Sequence, residues 1–332
     1  MLFNKSNQGA QELQDRTGSY YANNDFSRIE TDVLLAEKDI IKIVGGGVYA
    51  RALNHYNSSN YQSESTDHVI NNKLVQMLQM PIAYLATYNY YQSNLVSHQD
   101  TGRKVSIDNQ NEKMAWEWML DRDDRAHLLK VNKTVDLLIS WLEENNITEW
   151  KNSDNRKLTR ELFVNSEKVF QESYPIDESP RFFYTVLAWN NEVQTKTIKK
   201  ALGALYAPLL AFWQSSLVSG SGTPPDNADE LQELLEMVQK TIPLFVMSKA
   251  VKRLSLQVLP DSVVQQFKSD RGARAASTPA LTEVIEWHHS SLLRDAYLAL
   301  DDIKLFLQRM DPESGRFQLI PENKPSRKFA RT

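Results

Sequence analysis

Cysteine is absent from all 332 residues. That excludes thiol nucleophiles, thiolate metal sites, cysteine-held iron–sulfur clusters and any disulfide framework. Glycine is scarce at 11 residues, about half its usual share of roughly 7%. Nucleotide-binding loops and open barrels need glycine where the backbone turns sharply or meets a ligand, whereas helices are penalised by it. A mainly α fold follows. Neither charge sign dominates: 38 Lys and Arg against 42 Asp and Glu leave a net −4, so no global field favours nucleic acid. Long apolar runs are missing too. The most apolar stretch, 201-ALGALYAPLLAFWQSSLV-218, breaks at Gln214, short of the roughly 20 residues that cross a bilayer. The opening residues contain no apolar signal-peptide core, and no membrane partner is expected.

What is present reads as two helical-bundle modules. After an N-terminal arm, 1–22, the first module spans 23–150, with Asn23, Asn24 and Asp25 as capping candidates. Ile29, Val33, Ala36, Ile40, Val44 and Val48 recur at helical spacing. Gly45, Gly46 and Gly47 mark a bend, a close crossing or a break. A second helix starts near Asp67 with Leu74, Leu78 and Leu85 inward, and Pro81 kinks it or marks a start. The period then changes, and Asp100-Thr101-Gly102 forms the tip of an inserted β-hairpin over 93–108. Val131, Val135, Leu138 and Leu142 make a further stripe. A connecting helix and linker fill 151–179, with Leu158, Leu162 and Val169 on one helical face. The second module spans 180–310, carries a second hairpin over 254–267 tipped by Pro260 and Asp261, and ends in a long helix. The tail, 311–332, holds Pro312, Pro321 and Pro325 against helix and reads as a flexible or docking segment.

The order of signals repeats. Residues 26–40 echo 180–193, and 46-GGVYARAL-53 echoes 203-GALYAPLL-210. Met80-Pro81-Ile82 pairs with Ile242-Pro243-Leu244, and 136-DLLISWL-142 with 301-DDIKLFL-307. An internal duplication is the reading this order supports.

Motifs with chemical content are few. Asp100-Thr101-Gly102 has the triplet of an aspartic protease, but Ser97, His98 and Gln99 precede it where an apolar strand would bury a carboxylate dyad. Glu286 and His289 stand in a Glu-x-x-His spacing that serves di-iron carboxylate bundles. The second such pair is missing, since 124-DRAH-127 is only a near match. The glycine triplet has no phosphate-loop spacing. Lys196, Lys199, Lys200, Lys249, Lys252 and Arg253 form a candidate positive lining, with solvated helix faces as the alternative. No cofactor is expected.

The opening Leu2-Phe3-Asn4-Lys5, Gly9 and Glu12-Leu13, together with Asp100-Thr101-Gly102, 136-DLLISWLEEN-145 and Arg181-Phe182-Phe183, resemble a group of poorly characterised proteins from Bacteroidetes phages and integrated elements. Those proteins are similar to virion head–tail connector adaptors. The resemblance implies a noncatalytic protein that self-associates into a ring between portal and tail-side proteins, with DNA passing nonspecifically through a channel. It also implies residence in the virion and, during assembly, the cytoplasm of the bacterial host. Candidate contact residues are Asp100, Gly102, Arg103, Pro260 and Asp261 at the tips, with Phe317 and Phe329 in the tail. A helical metalloenzyme using Glu286 and His289, and a host binding module, are the alternatives.

Overall fold

Helix follows the apolar spacing through most of the residues that the computed structural model describes: 1–18, 25–63, 65–94, 97–99, 102–104, 116–217, 227–254, 256–259, 262–265 and 282–310. Contacts divide the chain into two units, one built on Met1–Leu158 and the other on Thr159–Gln266 with the last helix.

The first unit opens with α1 (Gly9–Thr17). Asp25 then caps a single turn, Phe26–Arg28, by accepting the Ser27 N–H at 3.1 Å. Helix α2 (Glu30–Val44) follows and buries Val33, Ala36, Ile40 and Val44, as the stripe requires. The glycine triplet is a break. Gly45 alone adopts a positive φ, 88°, and α3 (Gly46–Asn57) starts directly after it. Helix α4 (Thr66–Ser93) runs through Pro81 without stopping. It is the centre of the unit, with α2, α3 and α5 (Glu117–Glu144) packed around it. Leu74, Leu78 and Ile82 of α4 meet water nowhere, and Val131, Val135, Leu138 and Leu142 face inward from α5. Each such side chain contributes about 2 kcal/mol by leaving water. Short helices α6 (Thr148–Lys151) and α7 (Asp154–Thr159) follow, with Trp150 fully buried and its Nε1 donating to Glu143 Oε1 at 2.8 Å.

Of the arm set apart above, 1–22, the described residues 1–18 are built into this core. Leu2, Phe3 and Leu13 are buried. The helix expected across Leu158–Val169 is also interrupted, because Leu162, Phe163 and Val164 lie buried in non-helical backbone before α8 (Glu167–Gln171).

In the second unit, Ser179 caps α9 (Pro180–Val193) through the Phe182 N–H at 3.1 Å, with Pro180 in the first turn where its missing N–H costs nothing. A π turn (Gln194–Ile198) joins α9 to α10 (Lys199–Leu202), and Gly203 with φ 55° breaks the helix before α11 (Tyr206–Ser216). Helix α12 (Ala228–Arg253) takes the central place, packed by α8, α9, α11 and the last helix, α13 (Thr282–Met310).

The packed fold is mainly helical, and the inserted β-hairpins expected over 93–108 and 254–267 are not supported as parts of it. Among the described residues strand pairing is confined to two short antiparallel ladders, β1 (Ser97–Gln99) with β2 (Gly102–Lys104) and β3 (Leu256–Leu259) with β4 (Ser262–Gln265). Apart from Ser93, Asn94 and Leu254, the rest of those spans lies outside the described residues. Two-stranded pairs this short are marginal by themselves, and the polar/apolar alternation that raised the expectation is too brief to fix a ribbon. No described helix is long and apolar enough to cross a membrane.

Candidate functional site

Burial follows the same register in both units. On α4, Leu74, Leu78, Gln79, Ile82 and Ala86 are buried, and on α12 so are Leu234, Val238, Gln239, Ile242 and Val246. Val33, Ala36 and Glu37 of α2 match Asn190, Val193 and Gln194. This register places Pro81 at the position of Thr241, not of Pro243. The proline echo read from the sequence is thus two residues out.

The paired polar residues share a task. In the first unit, Glu37 Oε1 accepts the Leu2 N–H at 2.6 Å, and Gln79 Nε2 donates to the Leu2 carbonyl at 2.6 Å. In the second, Gln194 Oε1 accepts the Phe163 N–H at 2.8 Å, and Gln239 Nε2 donates to the Phe163 carbonyl at 2.9 Å. A tyrosine from the following helix completes each clamp. Tyr49 donates to Glu37 Oε2 at 2.8 Å, while the Tyr206 oxygen accepts from Gln194 Nε2 at 3.0 Å. A residue outside helix and sheet driven into an apolar core must have both backbone groups bonded, and helix side chains do this twice. Around the first clamp, Glu12 accepts from the Asn4 N–H at 2.6 Å and from Tyr56 at 2.7 Å. Burial pushes the Glu12 carboxyl above the ordinary carboxylate range, and those hydrogen bonds offset only part of it. Burial and the neighbouring carboxylates likewise hold Tyr49 and Tyr56 protonated. These are structural clamps, each holding a buried stretch of backbone in place.

The sequence pattern marked none of these four clamp residues. The available signal was a polar side chain seated within an apolar stripe, such as Glu37 between Ala36 and Ile40.

Of the contact candidates, Gly102 and Arg103 lie in β2, paired with Gln99 and His98. Asp100, Pro260, Asp261, Phe317 and Phe329 lie outside the described residues. The metal candidates are engaged separately. Glu286 pairs with Lys252 at 2.7 Å, and His289 Nδ1 bonds the Ser248 carbonyl at 2.7 Å, which turns that nitrogen toward α12. Neighbouring His288 meets the Tyr174 hydroxyl at 3.1 Å. Among the described residues no group of three His, Asp or Glu side chains converges as metal ligands would. A cavity of about 540 Å³ opens beside the glycine break, lined by Gly45, Gly46, Gly47, Glu149, Ser153 and Asp154 among others. Its carboxylates oppose the anion that a helix N-terminus attracts, so it has no evident ligand.

Two outer helix faces expose apolar side chains at regular spacing. On α5 these are Met119, Leu129 and Leu137, the middle one 50% exposed, with Arg122 and Lys133 in the same row. On α13 they are Trp287 at 70%, Leu298 at 59% and Leu305. A third surface collects cations: Lys249 Nζ at 3.1 Å, Lys196 Nζ at 3.4 Å and Arg253 Nη1 at 3.5 Å all approach Glu192.

A family model described as a family of unknown function, DUF6712, matches residues 40–160 and 198–317. No curated protein and no solved structure matches the chain.

Proposed function

The chain belongs to the family of unknown function DUF6712, and we propose that it is a noncatalytic structural protein that assembles with copies of itself into a ring. In this reading it is a head–tail connector adaptor of a phage virion, seated between portal and tail-side proteins and present in the host cytoplasm during assembly. We also propose that its two units arose by internal duplication. The matched registers, the twin clamps and the two family-matched segments support that origin.

The observation that carries the assembly reading is the pair of unlike apolar faces on α5 and α13. Exposed Met, Trp and Leu at two- and three-turn spacing form the kind of stripe that a partner helix covers. Set antiparallel, the rows bring Met119 against Leu305, Ala126 against Leu298 and Leu137 against Trp287, with Arg122 facing Asp302. Because the two faces differ, their contact is heterologous, and such contacts close into rings when the rotation per subunit allows.

Light scattering or native mass measurement on the full chain tests this. A closed oligomer at micromolar concentration is expected, and Leu129→Asp or Leu298→Asp alone should dissociate it while helical content stays intact. Exchanging the charges, Arg122→Asp with Asp302→Arg, should assemble better than either single change. A protein that stays monomeric at high concentration and in the presence of isolated virion components overturns the reading.

A further inference from the structure

Six cations crowd the surface where α9, the π turn, α10 and α12 come together. Three of them, Lys196, Lys249 and Arg253, share the single carboxylate of Glu192. Lys252 faces Glu286 at 2.7 Å, and Lys199 and Lys200 are exposed on the adjoining turn. One carboxylate cannot neutralise three cations, so the surface keeps a positive surplus although the whole chain is negative. The Lys249 hydrogen bond holds the Glu192 carboxyl below its usual range.

The fold does not require these charges. At the matching places of the first unit stand Leu35 for Glu192, Asp39 for Lys196, Asn89 for Lys249, Gln92 for Lys252 and Ser93 for Arg253. Lys42 falls opposite the Lys199–Lys200 pair, so the same helices pack there with one cation where the second unit has six. The concentration is thus a property of the second unit's surface and not of its packing. Two aromatics steady it: the Arg253 guanidinium lies 5.5 Å from the Trp189 ring centre and Lys199 Nζ 5.4 Å from that of Tyr206.

We propose that this face binds the phosphodiester backbone of nucleic acid without reading its bases. The cations stand in two rows, Lys196 with Lys200 and Lys249 with Arg253. Each row repeats after about one helical turn, a step comparable to that between successive phosphates on a strand. Rows of cations on packed helices suit a regular polyanion. An anionic bilayer would also need apolar side chains free to insert, and both aromatics here lie beneath cations. The surface belongs to the second unit alone and stands whether or not the chain assembles.

The test is fluorescence anisotropy of the full chain with a labelled DNA duplex of arbitrary sequence across a salt series. Binding should weaken as salt rises, the log–log slope counting the phosphates engaged. Lys196→Glu with Lys200→Glu should lose at least about tenfold in affinity and flatten the slope by about two. Glu192→Gln should tighten binding, because it removes the one opposing charge from the centre. Lys42→Glu in the first unit should leave binding unchanged. Failure to bind duplex, equal loss from Lys42→Glu, or weaker binding by Glu192→Gln overturns the proposal. So does a preference for phosphatidylserine vesicles over DNA.

Discussion

Glu37 and Gln194 hold the same place in the two units: each takes a backbone N–H with Oε1, from Leu2 in one case and Phe163 in the other, and each meets a tyrosine hydroxyl with its second terminal atom. A carboxylate and an amide fill one role because tyrosine adapts, donating to the first and accepting from the second. The charge on Glu37 is therefore dispensable in principle, whereas its hydrogen bonds are not.

Glu37→Gln should accordingly fold with stability within about 1 kcal/mol of the parent, since every partner stays bonded. Glu37→Leu leaves the Leu2 N–H and the Tyr49 hydroxyl unpaired in the core and should cost about 2–5 kcal/mol. Denaturant unfolding of the two variants separates them. Equal losses would mean that the clamp contributes shape and nothing more.

Gly45 and Gly46 are neighbours with opposite tolerance. Gly45 has φ 88°, and a Cβ there would stand 3.1 Å from that of Ser153, whereas a Cβ on Gly46 meets nothing within 4 Å. Gly45→Ala should destabilise by about 1–2 kcal/mol. Gly46→Ala should gain up to about 1 kcal/mol by restricting the unfolded chain and favouring helix. Thermal midpoints moving in opposite directions are the expected result.

Glu12 sets a pH dependence of its own. Its carboxyl is raised by burial, so the folded chain keeps that proton to higher pH than the unfolded chain does. Between the ordinary glutamate value and the raised one, folding takes up a proton. The associated stability is full at the acid end and lost as pH rises through the folded value. Glu192, whose carboxyl is lowered first by the Lys249 hydrogen bond, acts the opposite way and loses its contribution on acidification. Unfolding midpoints of the parent and Glu12→Gln, measured from mildly acid to neutral pH, should differ by an amount that changes across that window. A constant offset would contradict the assignment.

The helix stripes were legible in the sequence because burial on one face imposes a period. Val33, Ala36 and Ile40, or Leu138 and Leu142, can be placed by counting. Counting failed where two forces competed locally. Leu162 fits a helical stripe, but the chain leaves the helix there, because partners distant in sequence bond the Phe163 N–H and C=O and Trp213 Nε1 donates to the Leu162 carbonyl. Pro81 looked like a landmark shared with Pro243, yet each proline sits inside a continuous helix. The packed neighbours hold the helix together at different points, so neither proline fixes a register. Gln79 and Gln239 do, and their only mark in the sequence is a polar side chain seated in an apolar stripe.

The π turn at Gln194–Ile198 settles how Gln194 matches Glu37 while Gly203 matches Gly45 one residue later in the count. One surplus residue is swallowed by a widened loop of backbone, and the inward aim of everything on either side is preserved. Lineages of this shape can therefore lengthen or shorten mid-helix by single codons without turning the interior outward. The surplus is returned before α11, since Tyr206 stands from Tyr49 at the same interval as Gln194 from Glu37, so the two halves compare without a gap through that stretch.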